Sequence, residues 1–292
     1  MEQKRAIDGF GAAALIGFAT LLAFNQVVIK WTGSGFNPLF QAGIRSVLGF
    51  VVLVLWMAVR RQRLGVLPRG AITWGVIAGL LFAFEFLCLF AALDLGSVAR
   101  VSILFYSMPV WLALVAHFLL PGEALTPIRA IGLVLAMGGV VLALLDRDGG
   151  TANLWADALA LLAAFGWAAI ALCLRLTPQA HVPPVTQLFF QLLVSAPVML
   201  ILAPIFGPLI RDPQPIHYAS LAFQAVFIAS FGYMLWFSLI KRYRASSVAS
   251  FSFLSPVLAV LMGWILLGER VGPEIWAALG LVAVGVVLIN RK

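Results

Sequence analysis

Ser107-Met-Pro-Val-Trp-Leu-Ala-Leu-Val-Ala-His-Phe-Leu-Leu120, followed by Pro121-Gly-Glu-Ala-Leu-Thr-Pro127, decides how this chain is built. The same pattern returns as Ser255-Pro-Val-Leu-Ala-Val-Leu-Met-Gly-Trp-Ile-Leu-Leu267, followed by Gly268-Glu-Arg-Val-Gly-Pro273. Pro109 aligns with Pro256, Glu123 with Glu269 and Pro127 with Pro273, and the next apolar run ends in Gly139-Val-Val-Leu142 or Gly285-Val-Val-Leu288. Earlier in each copy Pro38 pairs with Pro184, Gln41 with Gln187 and Arg45 with Gln191. A repeat spaced by half of a 292-residue chain means two halves built alike. We take them as residues 1–150 and 151–292.

The composition fixes the solvent. The chain is 63% hydrophobic and 10% charged, with a mean hydropathy of +1.07. Soluble domains carry roughly 45–50% apolar and about 25% charged residues, so an all-α membrane protein is expected. Runs of about 20 apolar residues span a bilayer, and ten are placed at 10–30, 38–59, 71–92, 99–120, 128–145, 156–176, 185–205, 219–240, 247–267 and 274–290. The first run lacks a cleavage site and reads as a retained helix. Cys88 and Cys173 lie inside apolar runs and imply neither a disulfide nor a metal.

The 19 Lys and Arg residues set the topology. With the N-terminus in the cytoplasm, 13 fall inside, at 4, 5, 60, 61, 63, 69, 129, 175, 241, 242, 244, 291 and 292. Five fall outside (Lys30, Arg100, Arg147, Arg211 and Arg270), and Arg45 lies within a span. The net charge of +8 is therefore a topology signal, answered by anionic lipid and not by nucleic acid. Both termini are expected inside. Five spans per half is odd, so the second half enters the membrane from the opposite side. Inverted repeats that rock about a midplane site are the architecture of secondary transporters.

The Pro-Val segments, the Gly-Glu-x-x-x-Pro turns, the Gly-Val-Val-Leu endings and Leu22-Ala-Phe-Asn-Gln-Val-Val-Ile-Lys30 resemble the drug/metabolite transporter superfamily. The resemblance is to its members with two EamA-type repeats and covers essentially the whole chain. Within that superfamily the chain is most similar to the bacterial aromatic amino acid exporters. This implies a ten-helix carrier of the inner membrane with a small-molecule substrate. Span six departs from the pattern, having Cys173 and Arg175 where span one ends in Ile29-Lys30. Efflux of other metabolites or cationic drugs is the alternative, and an integral-membrane enzyme is the rival from another class. An enzyme would cluster catalytic residues at one face, whereas the three His are scattered and no nucleophile–base pair has suitable spacing. There is no Walker motif, and no cofactor or metal is expected. A monomer and a homodimer are equally compatible with the sequence.

Ionisable groups at membrane depth are costly and mark function by default. Glu85, in Phe82-Ala-Phe-Glu-Phe-Leu-Cys88, is a candidate proton carrier, partner of a substrate ammonium, or partner of Arg45. Arg45 lies about 10 Å into span two at 1.5 Å per residue, shallow enough either to snorkel outward or to bind a carboxylate. Asn25, Gln41, Ser107, Gln187 and Ser252 supply neutral polar groups, which either join helices or meet substrate. Tyr106, Trp167 and Tyr233 are placed to stack a ring. Pro109 and Pro256 are expected to kink spans four and nine as hinges. Gly75/Gly79, Gly132/Ala136 and Ala259/Gly263 are spaced for close helix contact. Spans five and ten are nearly pure Leu, Val, Ala and Gly and should be peripheral.

Overall fold

The structure is a computed structural model describing residues 8–119, 126–145, 153–232 and 254–289, together with Leu235, Leu239 and Tyr243. Its helices are α1 (Gly9–Gly35), α2 (Pro38–Val59), α3 (Ala71–Leu95), α4 (Val98–Phe105), α5 (Met108–Leu119) and α6 (Pro127–Leu145) in the first half. The second half has α7 (Leu154–Leu176), α8 (Pro184–Leu202), α9 (Pro215–Phe223), α10 (Leu254–Leu267) and α11 (Pro273–Ile289). Short 3-10 turns lie at Pro178–His181 and Ala203–Phe206, and α9 runs on as a π-helix over Gln224–Gly232. Proline explains much of the punctuation: α2, α6, α8, α9 and α11 each begin with one. A first helical residue has no intrahelical use for its N–H, and the ring presets φ. Side chains close other ends. Asp8 Oδ1 accepts from Gly11 N at 2.7 Å, and Asn37 Oδ1 from Leu39 N at 2.9 Å.

The chain is an all-α membrane protein. Among the described residues, seven helical stretches are long and apolar enough to cross a bilayer, counting α4 with α5 as one and α8 with its 3-10 turn as another. α9 with its π continuation, α10 and α11 complete a set consistent with ten. Span four departs from the expected single kinked helix. It is broken at Tyr106 and Ser107, where the Ser107 hydroxyl donates to Leu104 O at 2.6 Å. Pro109 is therefore the second residue of a new helix, where the N–H it lacks would have gone unused. Pro256 is likewise in the first turn described for α10.

Helix directions establish the inversion. α2 and α8 occupy the same place in their halves and pack antiparallel: the Cα of Gly43 faces Leu200 and that of Gly49 faces Leu192. α6 and α11 are also equivalent, and Gly132 faces Gly285 while Gly139 faces Ala278. Equivalent helices running in opposite directions are what an inverted repeat requires. The cross-packing obeys the same exchange: α3 packs on α8 as the π segment packs on α2, and α10 on α1 as α5 on α7. α6 and α11 lie mainly on one another, at the periphery, with Val134, Leu145 and Val284 exposed.

The helix ends sort into two layers. At one end Tyr243 Oη donates to Asp8 Oδ1 at 2.7 Å, Thr186 Oγ1 to Leu64 O at 2.8 Å and Gln179 Nε2 to Ala71 O at 2.5 Å. At the other end lie Lys30, Asp94, Arg100, Asp157, Arg211 and Glu269, joined to one another or to neighbouring backbone. We refer to these as the Asp8 end and the Asp94 end.

Candidate functional site

Between the halves lies a cavity of about 460 Å³. Along α1 its lining runs from Leu15 to Gln26, along α7 from Trp167 to Leu174, and along α8 from Pro184 to Gln191. It thus extends from mid-membrane to the Asp8 end and stops short of Lys30. Ligand cavities fall at roughly 300–1,000 Å³, so a small metabolite has room.

Two ionisable side chains lie on the cavity lining. Arg45 is 1% exposed and Glu85 4% exposed, and the two groups lie within electrostatic reach of each other. The expected alternative of an outward-snorkelling Arg45 is not what occurs. Its guanidinium carbon lies 4.0 Å from the Phe86 ring centroid and 5.3 Å from that of Phe90. Arg45 is on α2 and both rings are on α3, so the packing of these helices holds the cation inside; such pairs contribute about 0.5–2 kcal/mol. Glu85 sits where α3 meets α7, against Gly166, whose missing side chain lets the backbones close.

Aromatic rings also line the cavity. Phe105 and Trp167 stack with centroids 5.1 Å apart and planes at 19°, and Tyr106 meets Trp167 edge-on at 6.2 Å. The Tyr106 phenol faces Gln26 and Ser255. The break in span four presents Phe105 and Tyr106 here: α4 ends as it reaches the cavity, and α5 resumes with Met108 and Pro109 on its lining. Asn25 Oδ1 is a buried acceptor on the cavity lining with no hydrogen-bond partner among the described residues, as befits a group kept for a ligand or water.

Of the expected site residues, the structure brings together Asn25, Arg45, Glu85, Tyr106, Trp167 and Gln187, with Pro109 and Pro256 also on the lining. Gln187 Nε2 is engaged with Gln179 O at 2.7 Å. Gln41 and Ser107 are outside the cavity. Gln41 Nε2 donates to Ile29 O at 3.3 Å, while Ser107 Oγ closes the helix break and accepts from Trp111 Nε1 at 2.9 Å. Tyr233 and Ser252 lie outside the described residues. Phe86, Phe105, Gln26 and Gln191 also line the cavity, though none of them was among the expected site residues. The clue to Phe86 was its place beside Glu85.

The halves can be compared with known proteins. The sequence profile of the EamA-like transporter family matches residues 9–145 and, a second time, residues 154–291. The chain belongs to the EamA-like transporter family. Its members are transporters, and the two matches fall on the two halves. A Pseudomonas aeruginosa protein, PA1977, is 31% identical, with 94% of this chain and 91% of that protein covered. The Bacillus subtilis transporter YvbV is 28% identical over 94% of this chain and 92% of its own length. An Escherichia coli protein described as a probable amino-acid metabolite efflux pump is 28% identical, covering 89% and 87% of the two chains. A solved crystal structure superposes with a TM-score of 0.66 at 22% identity, covering 95% of this chain and 97% of that one, a likeness of fold.

Proposed function

We propose that this EamA-family transporter exports amino acids, aromatic ones among them, across the bacterial inner membrane by alternating access. The observation that carries this reading is one cavity holding a cation, a carboxyl group and a stack of aromatic rings. An aromatic amino acid presents the complementary set. Its carboxylate would lie on Arg45, its ammonium on Glu85 and Asn25, and its ring against Phe105, Tyr106 and Trp167. Glu85 is also the group to exchange a proton for the ammonium. The printed name of the Escherichia coli relative supports the substrate class. A cationic drug would suit Glu85 but not Arg45 in the same space, so drug efflux is the lesser reading.

The inverted halves support the mechanism, since a two-fold exchange of conformations carries a midplane site from one face to the other. The Lys and Arg bias supports an Asp8 end in the cytoplasm, so that the cavity extends from mid-membrane toward the inner face. The test is counterflow of labelled phenylalanine, tryptophan and leucine into proteoliposomes, with a single cysteine at position 64 reporting orientation. Counterflow of the aromatic pair, with Leu64→Cys labelled only from the cytoplasmic face, is the expected result. Failure to move any amino acid while a cationic dye is moved would overturn the substrate class.

A further inference from the structure

The cavity is closed at the Asp94 end by contacts that join the two halves. Glu269, between α10 and α11, reaches across to the start of α4. Its Oε1 accepts from Val98 N at 2.6 Å and its Oε2 from Ala99 N at 2.9 Å. Both oxygens are thus spent on two of the free amides that every helix start leaves, and the negative charge lies at the positive end of the helix dipole. Beside it Arg211, from the loop before α9, grips Asp94 of α3 with Nη1–Oδ1 at 2.6 Å and Nη2–Oδ2 at 2.9 Å. Arg211 also donates from Nη1 to Gly33 O at 2.7 Å. The Asp94 carboxylate holds the Arg211 pKa above its ordinary value, so this cation does not titrate in any physiological range. Lys30 Nζ donates to Gly96 O at 2.5 Å, between these two contacts.

Each of the two contacts has one partner in either half. A packed scaffold does not need this: the Arg100–Asp157 pair, at 2.7 Å and 5% exposed on both sides, already ties α4 to α7 deeper in the protein. The Asp94–Arg211 pair is by contrast 20% and 32% exposed, near enough to water for its separated charges to be solvated. A contact between halves that water can replace is suited to repeated breaking.

We propose that Glu269 and the Asp94–Arg211 pair are the gate of the Asp94 end, and that their release is the step that opens the cavity there. This rests on the alternating-access part of the functional reading and is independent of the substrate. When Glu269 leaves, Val98 and Ala99 N–H turn to water, and α4 can tilt about the Arg100–Asp157 pair that holds it to α7, moving Phe105 and Tyr106 at its far end. The gate and the aromatic wall are then two ends of one eight-residue lever.

The test is the accessibility of a probe between gate and cavity. Ser102, one turn beyond Ala99 on α4, is fully buried. In a Cys88→Ala/Cys173→Ala background, Ser102→Cys is labelled with a membrane-impermeant maleimide applied from the face of the Asp94 end. Slow labelling is expected in this parent, and labelling at least roughly tenfold faster in Glu269→Gln, since hydrogen bonds to a charged group are the stronger kind. Asp94→Asn should act in the same direction, and Asp94→Arg/Arg211→Asp should return the rate toward that of the parent. An unchanged rate in both single variants, with thermal unfolding midpoints near the parent's, overturns the gate. Phenylalanine counterflow, measured in parallel, separates the two readings. Faster labelling without any amino acid transport upholds the gate and removes the substrate assignment, whereas intact transport with unchanged labelling removes the gate alone.

Discussion

Arg45→Lys isolates what the guanidinium contributes. Lysine keeps the charge and much of the length but replaces a planar two-pronged donor with a point. The guanidinium lies 4.0 Å from the Phe86 centroid, and an ammonium at that place retains most of the attraction to the ring, so the cation–π contribution nearly cancels between the two proteins. A bidentate grip on a substrate carboxylate does not cancel. One charge-assisted hydrogen bond is lost, about 1.5–3 kcal/mol, or roughly 10- to 150-fold in affinity at 1.4 kcal/mol per tenfold. The assay is inhibition of labelled phenylalanine counterflow by two competitors, unlabelled phenylalanine and phenethylamine, which lacks the carboxylate. Phenylalanine should weaken by that factor on Arg45→Lys, while phenethylamine changes by less than about threefold. If both weaken equally, Arg45 shapes the cavity without holding the carboxylate. If neither weakens, the carboxylate binds elsewhere.

Glu85→Gln keeps the shape of the side chain and removes its proton; transport should fall at least roughly tenfold and lose its response to an imposed pH gradient, the expectation for an intramembrane carboxylate at work. An unaltered response would make Glu85 structural. Removing one partner of the buried Arg100–Asp157 pair, in Arg100→Ala or Asp157→Ala, should cost about 3–5 kcal/mol, read as a lower unfolding midpoint in detergent, and Arg100→Met/Asp157→Leu should recover most of it. At Gly285 an added Cβ would lie 2.6 Å from both Ala136 N and Gly132 O. Gly285→Ala must therefore part α6 from α11, at about 1–3 kcal/mol. Gly138→Ala, with nothing within 4 Å, should stabilise by up to about 1 kcal/mol in the same assay. Pro109→Ala should leave the initial transport rate within about twofold, because a first-turn proline gives up no helix bond; a larger fall would restore it as a hinge.

The duplication, its inversion and the two layers of helix ends were legible because each leaves a periodic trace: matched prolines, an odd number of apolar runs, and basic residues at alternate ends. The cavity was half legible. Glu85 announces itself as a carboxylate among phenylalanines, but the depth of Arg45 in its own helix is as consistent with snorkelling as with burial. Phe86 and Phe90, which hold it in, lie more than forty residues further on. Ser107 and Gln41 were left between helix contact and substrate contact because a lone polar residue in an apolar run has no visible partner. Their partners are the carbonyls of Leu104 and Ile29, and backbone has no letter of its own. Glu269 was hidden for the same reason. Its motif reads as a turn, while the amides it binds precede it by some 170 residues.

The π segment over Gln224–Gly232 bears on how a duplicated gene diverges. One residue inserted into an α-helix rotates everything beyond it by about 100°, which here would turn a cavity wall toward lipid. A π turn bonds one residue further along than an α turn, so a span can lengthen by a residue while the segments on either side keep their faces. The copies are 146 residues apart at Pro38 and Pro184 but 147 apart at Pro109 and Pro256, so the second copy has gained a residue between those marks. The π segment lies within that stretch, gives such a residue a place inside the membrane, and still presents Ile228 and Gly232 to the cavity. The two halves need not drift in step: a helix that tolerates an indel lets one copy explore new cavity shapes while its twin preserves the frame.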